Sequence, residues 1–238
     1  MKRRPFWTLL ALPGGELVED TSLPALGRNG SCSVPLSPED MIPMPFGAEI
    51  CLLPGRRPPG KPLSGDRRPF SNAASAILPP GYLRLLLPAF QRNPRAPTLP
   101  LLGFTCVAWR DDRFWVAAQE TDDTRKWDPS QYHTVGLPHL IKARLKRRPE
   151  NRLLSHLAVC ALDSGCYNAQ NIFYERWEGG IPVSPACNST CRGCISLQPS
   201  KRVPSPQNRI SFVPTVEEMT EVVLHHLESS PEAIASFG

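Results

Sequence analysis

A chain of 238 residues with 41% hydrophobic content is long enough to bury a core, and it offers no run near the roughly 20 apolar residues that span a bilayer, which excludes a transmembrane helix. Its formal charge of +5 and pI near 8.9 permit anionic partners without requiring them, because a solvated surface produces the same excess. The 28 prolines remove backbone donors and restrict their neighbours, which predicts short elements and ordered turns in a folded, loop-rich chain.

The start of the chain, Met1 to Pro13, imitates a signal peptide, with Lys2, Arg3 and Arg4 ahead of an apolar run. Thr8 interrupts that run, Pro13 ends it, and no small-residue cleavage site follows, so a first strand with a basic start is the better reading. The cytoplasm is then the expected compartment. Eight cysteines, gathered toward the C-terminal half, fit metal chemistry in a reducing compartment better than a disulfide framework.

Residues 1–122 read as a small β-rich domain, a partly open sheet or a barrel. Candidate strands are Phe6–Leu12, Glu49–Leu53, Tyr82–Leu87, Leu101–Trp109 and Arg113–Ala118. The last two form a hairpin: Phe104, Cys106 and Ala108 alternate with Thr105, Val107 and Trp109, and Arg110-Asp111-Asp112 turns the chain. Between Leu53 and Tyr82, Arg56, Arg57, Lys61, Arg67 and Arg68 concentrate positive charge in a Pro/Gly loop that could meet a phosphate backbone. No aromatic residues are interleaved there, so a solvated loop is the stronger reading and nucleic acid a secondary one. Cys51 and Cys106 sit in apolar strands and read as core residues, whereas Cys32 lies in a polar loop without an assigned role.

Residues 123–179 read as a helical connector. A first helix starts at Leu137-Pro138 and runs through Ile141 and Leu145; basic residues from Lys142 to Arg148 favour its C-terminal dipole, and Pro149 ends it. The same charges could grip RNA, a reading secondary to the helical one. Asn151 is placed to cap a second helix that buries Leu153, Leu154, Leu157 and Ala161. A third helix carries Asn168, Gln170 and Asn171, amides that either line a cavity or bridge elements. Cys160 and Cys166 read as packing residues before metal ligands, and His156, His225 and His226 as helix-surface residues.

Residues 180–238 contain the densest chemistry. An apolar run, Gly180 to Ala186, leads into Cys187-Asn188-Ser189-Thr190-Cys191-Arg192-Gly193-Cys194, three thiols in the spacing C-x3-C-x2-C. Thiolates are soft ligands, and three of them on so short a loop can converge on one metal centre. A closed zinc or electron-transfer site takes four ligands, so a set of three leaves one position open. Downstream, Pro214 and the capping box Thr215-Val216-Glu217-Glu218 open a helix running to about Ser229. Val216, Met219, Val223 and Leu227 are expected to form its buried stripe, with Glu217, Glu218 and Glu221 in solvent. Glu232 to Gly238 then reads as the start of a second strand.

The cysteine spacing, on a loop between a strand and a helix, resembles the cluster-binding loop of the radical S-adenosylmethionine (radical SAM) enzymes. The resemblance covers residues 180–238 and implies an α+β chain in which the β-rich domain and helical connector precede the first βα unit of a partial (β/α) radical SAM barrel. It implies that Cys187, Cys191 and Cys194 hold three irons of a [4Fe-4S] cluster, and that the fourth iron takes the amino and carboxylate groups of S-adenosyl-L-methionine. It further implies an external one-electron donor, reductive cleavage of the cofactor to a 5'-deoxyadenosyl radical, and a substrate the residues do not specify.

Ser196 and Gln198, next to the third cysteine, are candidates to contact the cofactor or the cluster sulfurs, and Lys201 and Arg202 to face a carboxylate or electron donor. One departure is Gly193, which stands where many members carry an aromatic residue against the adenine. No residue matches the family's glycine-rich segment after the second strand, so the expectation is a fragment, or a piece completed by a second chain or a further C-terminal segment. The alternatives are a metal-stabilised RNA- or protein-binding module and an iron-sulfur electron-transfer protein, both without catalysis.

Overall fold

The computed structural model describes residues 4–60, 72–230 and 232–238. Lys2, Arg3, Lys61, Arg67 and Arg68 of the basic stretches therefore lie outside the described residues. The protein is a mixed α+β chain forming two compact units, Met1–Asp128 and Pro129–Gly238. Among the described residues, no helix is long and apolar enough to cross a membrane.

The first unit is built of strands β1 (Trp7–Ala11), β2 (Leu17–Pro24), β3 (Leu26–Asn29), β4 (Cys32–Pro35), β5 (Met41–Pro43), β6 (Glu49–Leu53) and β7 (Arg56–Arg57). It continues with β8 (Asn72–Ile77), β9 (Tyr82–Arg84), β10 (Leu87–Pro88), β11 (Gln91–Arg92), β12 (Phe104–Thr105), β13 (Val107–Arg110) and β14 (Arg113–Glu120). The main sheet runs β12-β8-β1-β13-β14-β5, with β2, β6 and β9 paired at its sides. Two smaller antiparallel groups, β10-β3-β4 and β11-β7, complete the unit.

The expected hairpin is β13–β14, with Arg110 opposite Arg113. Its two turn residues, Asp111 and Asp112, take φ of 49° and 56°, a pattern that matches the right-handed twist of the flanking strands and that Asp tolerates. Successive strand residues point to opposite faces, and both faces are covered. Cys106, Ala108 and Ala117 join Phe6 and Met41 on one side, while Val107, Val116 and Ala118 join Leu9 and Ala76 on the other. Cys106 is accordingly a core residue, its thiol pushed up to about 12 by burial.

Strand β8, which pairs with β1, β6 and β12, has no counterpart among the sequence-based strands. Its Ala73, Ala74, Ser75 and Ala76 are small residues of weak strand preference, and they are buried on both faces, so no polar alternation marks them.

The second unit comprises α1 (Leu137–Arg147), α2 (Arg152–Leu162), α3 (Tyr167–Tyr174), β15 (Glu178–Ile181), α4 (Val216–Ser229) and β16 (Ile234–Phe237). All contribute to one core around Leu153, Leu154, Leu157, Ile172 and Val222. Asn151 caps α2 as expected, its Oδ1 accepting from Leu154 N at 2.8 Å. Its Nδ2 donates to the Glu218 carbonyl and to Glu221 Oε2, which ties α4 to the start of α2.

The amides of α3 bridge elements. Gln170 accepts from His133 N and donates to the Ala161 carbonyl, and Asn171 donates to the Glu178 carbonyl at the head of β15. Both are fully buried.

β15 and β16 pair in parallel, from Glu178 opposite Ile234 to Ile181 opposite Phe237, with α4 in the connection. The observed strand lies upstream of the expected apolar run and stops before Pro182, which brings no N–H to a ladder.

The capping box of α4 forms: Glu218 N donates to Thr215 Oγ1 at 3.2 Å, and Thr215 N to Glu218 Oε2 at 2.8 Å. Its buried face differs from the expected stripe. Val222 and His226 are the buried residues, while Val216 is 68% and Leu227 43% exposed. His226 belongs to the interior because its Nε2 meets the Trp177 carbonyl at 2.8 Å. Glu218 is withdrawn from solvent by Arg152, whose Nε and Nη2 reach its two carboxylate oxygens at 2.8 Å each.

Candidate metal centre

The three cysteines lie on the long connection 182–215, between the C-terminal end of β15 and the start of α4. In a parallel β-α-β arrangement, ligands sit at the carboxyl ends of the strands, where the loops leave the sheet. Val183 N donates to the Gly238 carbonyl at 2.9 Å, which holds the loop's entrance to the strand pair. At the far end, Ile210 is 3% exposed and enters the helical core, with Phe212 packed beside it.

Between these anchors the loop is held by a few polar contacts. A turn joins Cys194 N to the Cys191 carbonyl at 3.2 Å. Gln207 N donates to the Ile195 carbonyl at 3.0 Å, and Gln198 N to Ser205 Oγ at 2.9 Å, which close the segment 195–207 on itself. Arg209 ties entry to exit: its guanidinium donates to the Pro185 carbonyl and to Ser196 Oγ at 3.2 Å, and lies 3.8 Å from Cys194 Sγ.

Cys187 and Cys191 are exposed and Cys194 is half-buried; all three are free thiols. The structure does not bring them together: among the described residues, no three His, Cys, Asp or Glu side chains are grouped so as to hold a metal ion. The donor set nevertheless fits a soft metal or cluster, being three thiols within eight residues of one loop. Cys194 is already disposed toward the thiolate. The Ser196 hydroxyl first, then the Ser196 and Leu197 backbone and the Arg209 charge, bring its thiol down to about 7.

Ser196 lies where a contact to the ligating sulfur is expected, with Oγ 3.6 Å from Cys194 Sγ. Gln198 faces inward, its amide donating to the Cys194 carbonyl, and acts here as a strut of the loop. A Cβ on Gly193 would meet nothing within 4 Å, so the space a side chain would enter there is open.

Cys160 is buried on α2, with Sγ 3.4 Å from His156 Nε2 and its thiol pushed up to about 11, chiefly by burial. It suits packing and not ligation. Arg209 was not among the sequence-based candidates, because a single basic residue beside an apolar one carries no periodic or motif signal.

Comparisons with protein-family models, with curated proteins and with solved structures find no match.

Proposed function

We propose that this chain carries the cluster-binding unit of a radical SAM enzyme. The observation that carries the reading is the placement of the C-x3-C-x2-C loop directly after the first of two parallel strands and before the helix that connects them. That order is the one expected of the first βα unit of a (β/α) barrel, with the loop at the carboxyl end of its strand. Cys187, Cys191 and Cys194 would hold three irons of a [4Fe-4S] cluster, leaving one iron for S-adenosyl-L-methionine. When bound, that pair of groups supplies the reductive cleavage chemistry, with the electron delivered by an external donor.

The chain's own part is to position. Ser196 stands at the sulfur of Cys194, where a hydrogen bond tunes a metal site. Gln198 braces the backbone of Cys194, and Arg209 holds the two limbs of the loop together. Three soft thiolates in one short loop make a donor set that leaves one position open, which favours this reading over a closed zinc module.

The test is anaerobic reconstitution with iron and sulfide. About four irons and four sulfides per chain are expected, with loss of the cluster in Cys187→Ala, Cys191→Ala and Cys194→Ala. A stoichiometric zinc ion and no cluster would replace the proposal with a metal-stabilised binding module. A cluster whose electron paramagnetic resonance spectrum is unchanged by S-adenosyl-L-methionine would leave an electron-transfer protein.

A further inference from the structure

The first unit holds a group of cations that no carboxylate among the described residues pairs with. Arg28 of β3 and Arg56 of β7 both lie over the ring of Phe90, at 4.9 and 5.4 Å from its centroid. Arg92 of β11 is directly opposite Arg56 in the antiparallel β7–β11 pair, so the two side chains leave the same face. Like charges in that register repel, and Arg92 adds to burial in holding the Arg56 guanidinium below its ordinary range. The ion pairs among the described residues include none of the three.

The cluster is nonetheless built with care for position. Arg56 is 5% exposed; its Nη1 donates to the Pro54 carbonyl at 2.9 Å and its Nη2 to the Pro97 carbonyl at 3.0 Å. Arg92 Nη2 donates to the Ala96 carbonyl at 3.2 Å. Gly55, at φ 67°, permits this close approach, since a Cβ there would stand 2.7 Å from Ala96 Cβ.

The grip leaves a remainder. Arg28 Nε and Arg56 Nε are buried and have no hydrogen-bond partner. Carbonyls and a ring face offset part of the cost of a buried guanidinium, but they do not neutralise it. Buried charged donors without acceptors are groups that an ordered water or a bound ion can satisfy. One oxyanion with several acceptor oxygens answers both the unpaired donors and the unbalanced charge. Exposed Arg92 and half-buried Arg28 connect the cluster to solvent.

We propose that Arg28, Arg56 and Arg92 form a binding site for a phosphate group, independent of the cysteine loop. Planar guanidinium forks match phosphate oxygens better than point charges do, and two of them over one aromatic ring with a third opposite in the strand pair fix the group's orientation. Arg28 and Arg56 offer their unpaired Nε donors to the oxygens, and Arg92, open to solvent, adds the third cation. The phosphate is either that of a phosphorylated small molecule or one of a nucleic-acid backbone.

The experiment follows the arginine Nε–Hε signals of the full chain by nitrogen-edited NMR. The chain is titrated separately with inorganic phosphate and with a single-stranded oligouridylate. Saturable displacement of the Arg28 and Arg56 signals is expected with at least one probe, weakened at least tenfold in Arg92→Gln and in Arg28→Gln. Arg92 is exposed, so its variant keeps the fold and decides the matter if Arg28→Gln does not.

Oligouridylate binding at least tenfold tighter than phosphate, and falling steeply with salt, assigns a nucleic-acid backbone. Equal or tighter binding of free phosphate assigns a phosphorylated small molecule. No saturable displacement by either probe, or Arg92→Gln binding as well as the unaltered chain, overturns the site.

Discussion

Within the second unit, the helical floor and the cysteine loop above β15 are built on opposite terms. In the floor, Leu153, Leu154 and Ile172 are at most 2% exposed, and three buried amides tie its elements together: Asn151 bonds α4, Gln170 bonds α2, and Asn171 bonds β15. In the loop, two of three thiols are exposed, and Ile195 and Leu197 are 53% and 57% exposed. Only the loop's ends are fastened to the floor, through Val183 and Ile210. So long a connection without regular structure inside a compact unit is uncommon unless it serves a function. The floor is held by its own contacts, whereas the loop has the donors of a site without the contacts that would draw them together. On the proposed reading, metal binding would be part of the loop's folding, because thiolates kept apart in the free chain would converge around the ion.

That contrast breaks most readily at Leu153. Leu153→Ala empties a fully buried position in the centre of the floor and is expected to destabilise the unit by about 2–5 kcal/mol, as core truncations do. The matched change in the loop, Leu197→Ala, is expected to stay within about 0.5 kcal/mol. Thermal unfolding of the two variants reads both values, and equal losses would abolish the distinction between floor and loop.

Gly179→Ala tests the seam between the two, since Gly179 lies in β15 directly beneath the loop. A Cβ there would collide with Ile172 Cδ1 and stand 3.0 Å from His226 Nε2, both interior side chains. Overpacking of this kind costs about 1–3 kcal/mol. Chemical denaturation should show that loss, and a neutral result would mean that Ile172 can turn aside into space the packed core does not show.

Local chemistry was the legible part of this chain. The Asp-Asp turn of β13–β14, the Asn151 cap and the Thr215–Glu218 box each rest on residues a few positions apart, and each forms as expected. What tertiary contacts decide was not legible. Strand β8 is strand-like only because β1, β6 and β12 surround it. The buried face of α4 is turned toward Val222 and His226 because that helix must meet both α2 and β15, and a histidine satisfied by the distant Trp177 carbonyl has no mark in hydropathy. The cysteine spacing was readable as a pattern of soft donors, but the structure does not bring the thiols together. Arg209 earns its place by reaching Pro185 and Ser196 across the loop, a relation no short-range pattern contains.

The smallest effect is expected at the junction where the loop hands the chain to α4. Glu218 closes the capping box and pairs with Arg152, which holds its carboxyl down to about 2, the Arg152 guanidinium being the main cause. A carboxyl whose pKa is lower in the folded chain binds protons more readily unfolded, so its contribution is present above the unfolded value near 4.3. It is lost as the pH falls from there through about 2. Glu218→Gln keeps a reciprocal cap but discards the ion pair, and about 0.5–1 kcal/mol should disappear at neutral pH. The difference between the variant and the unaltered chain should then close on acidification through that window. Melting temperatures compared at pH 7, 4 and 2.5 measure it, and a gap that stays constant with pH would show that the cap alone, and not the charge of Glu218, fastens α4 to the floor.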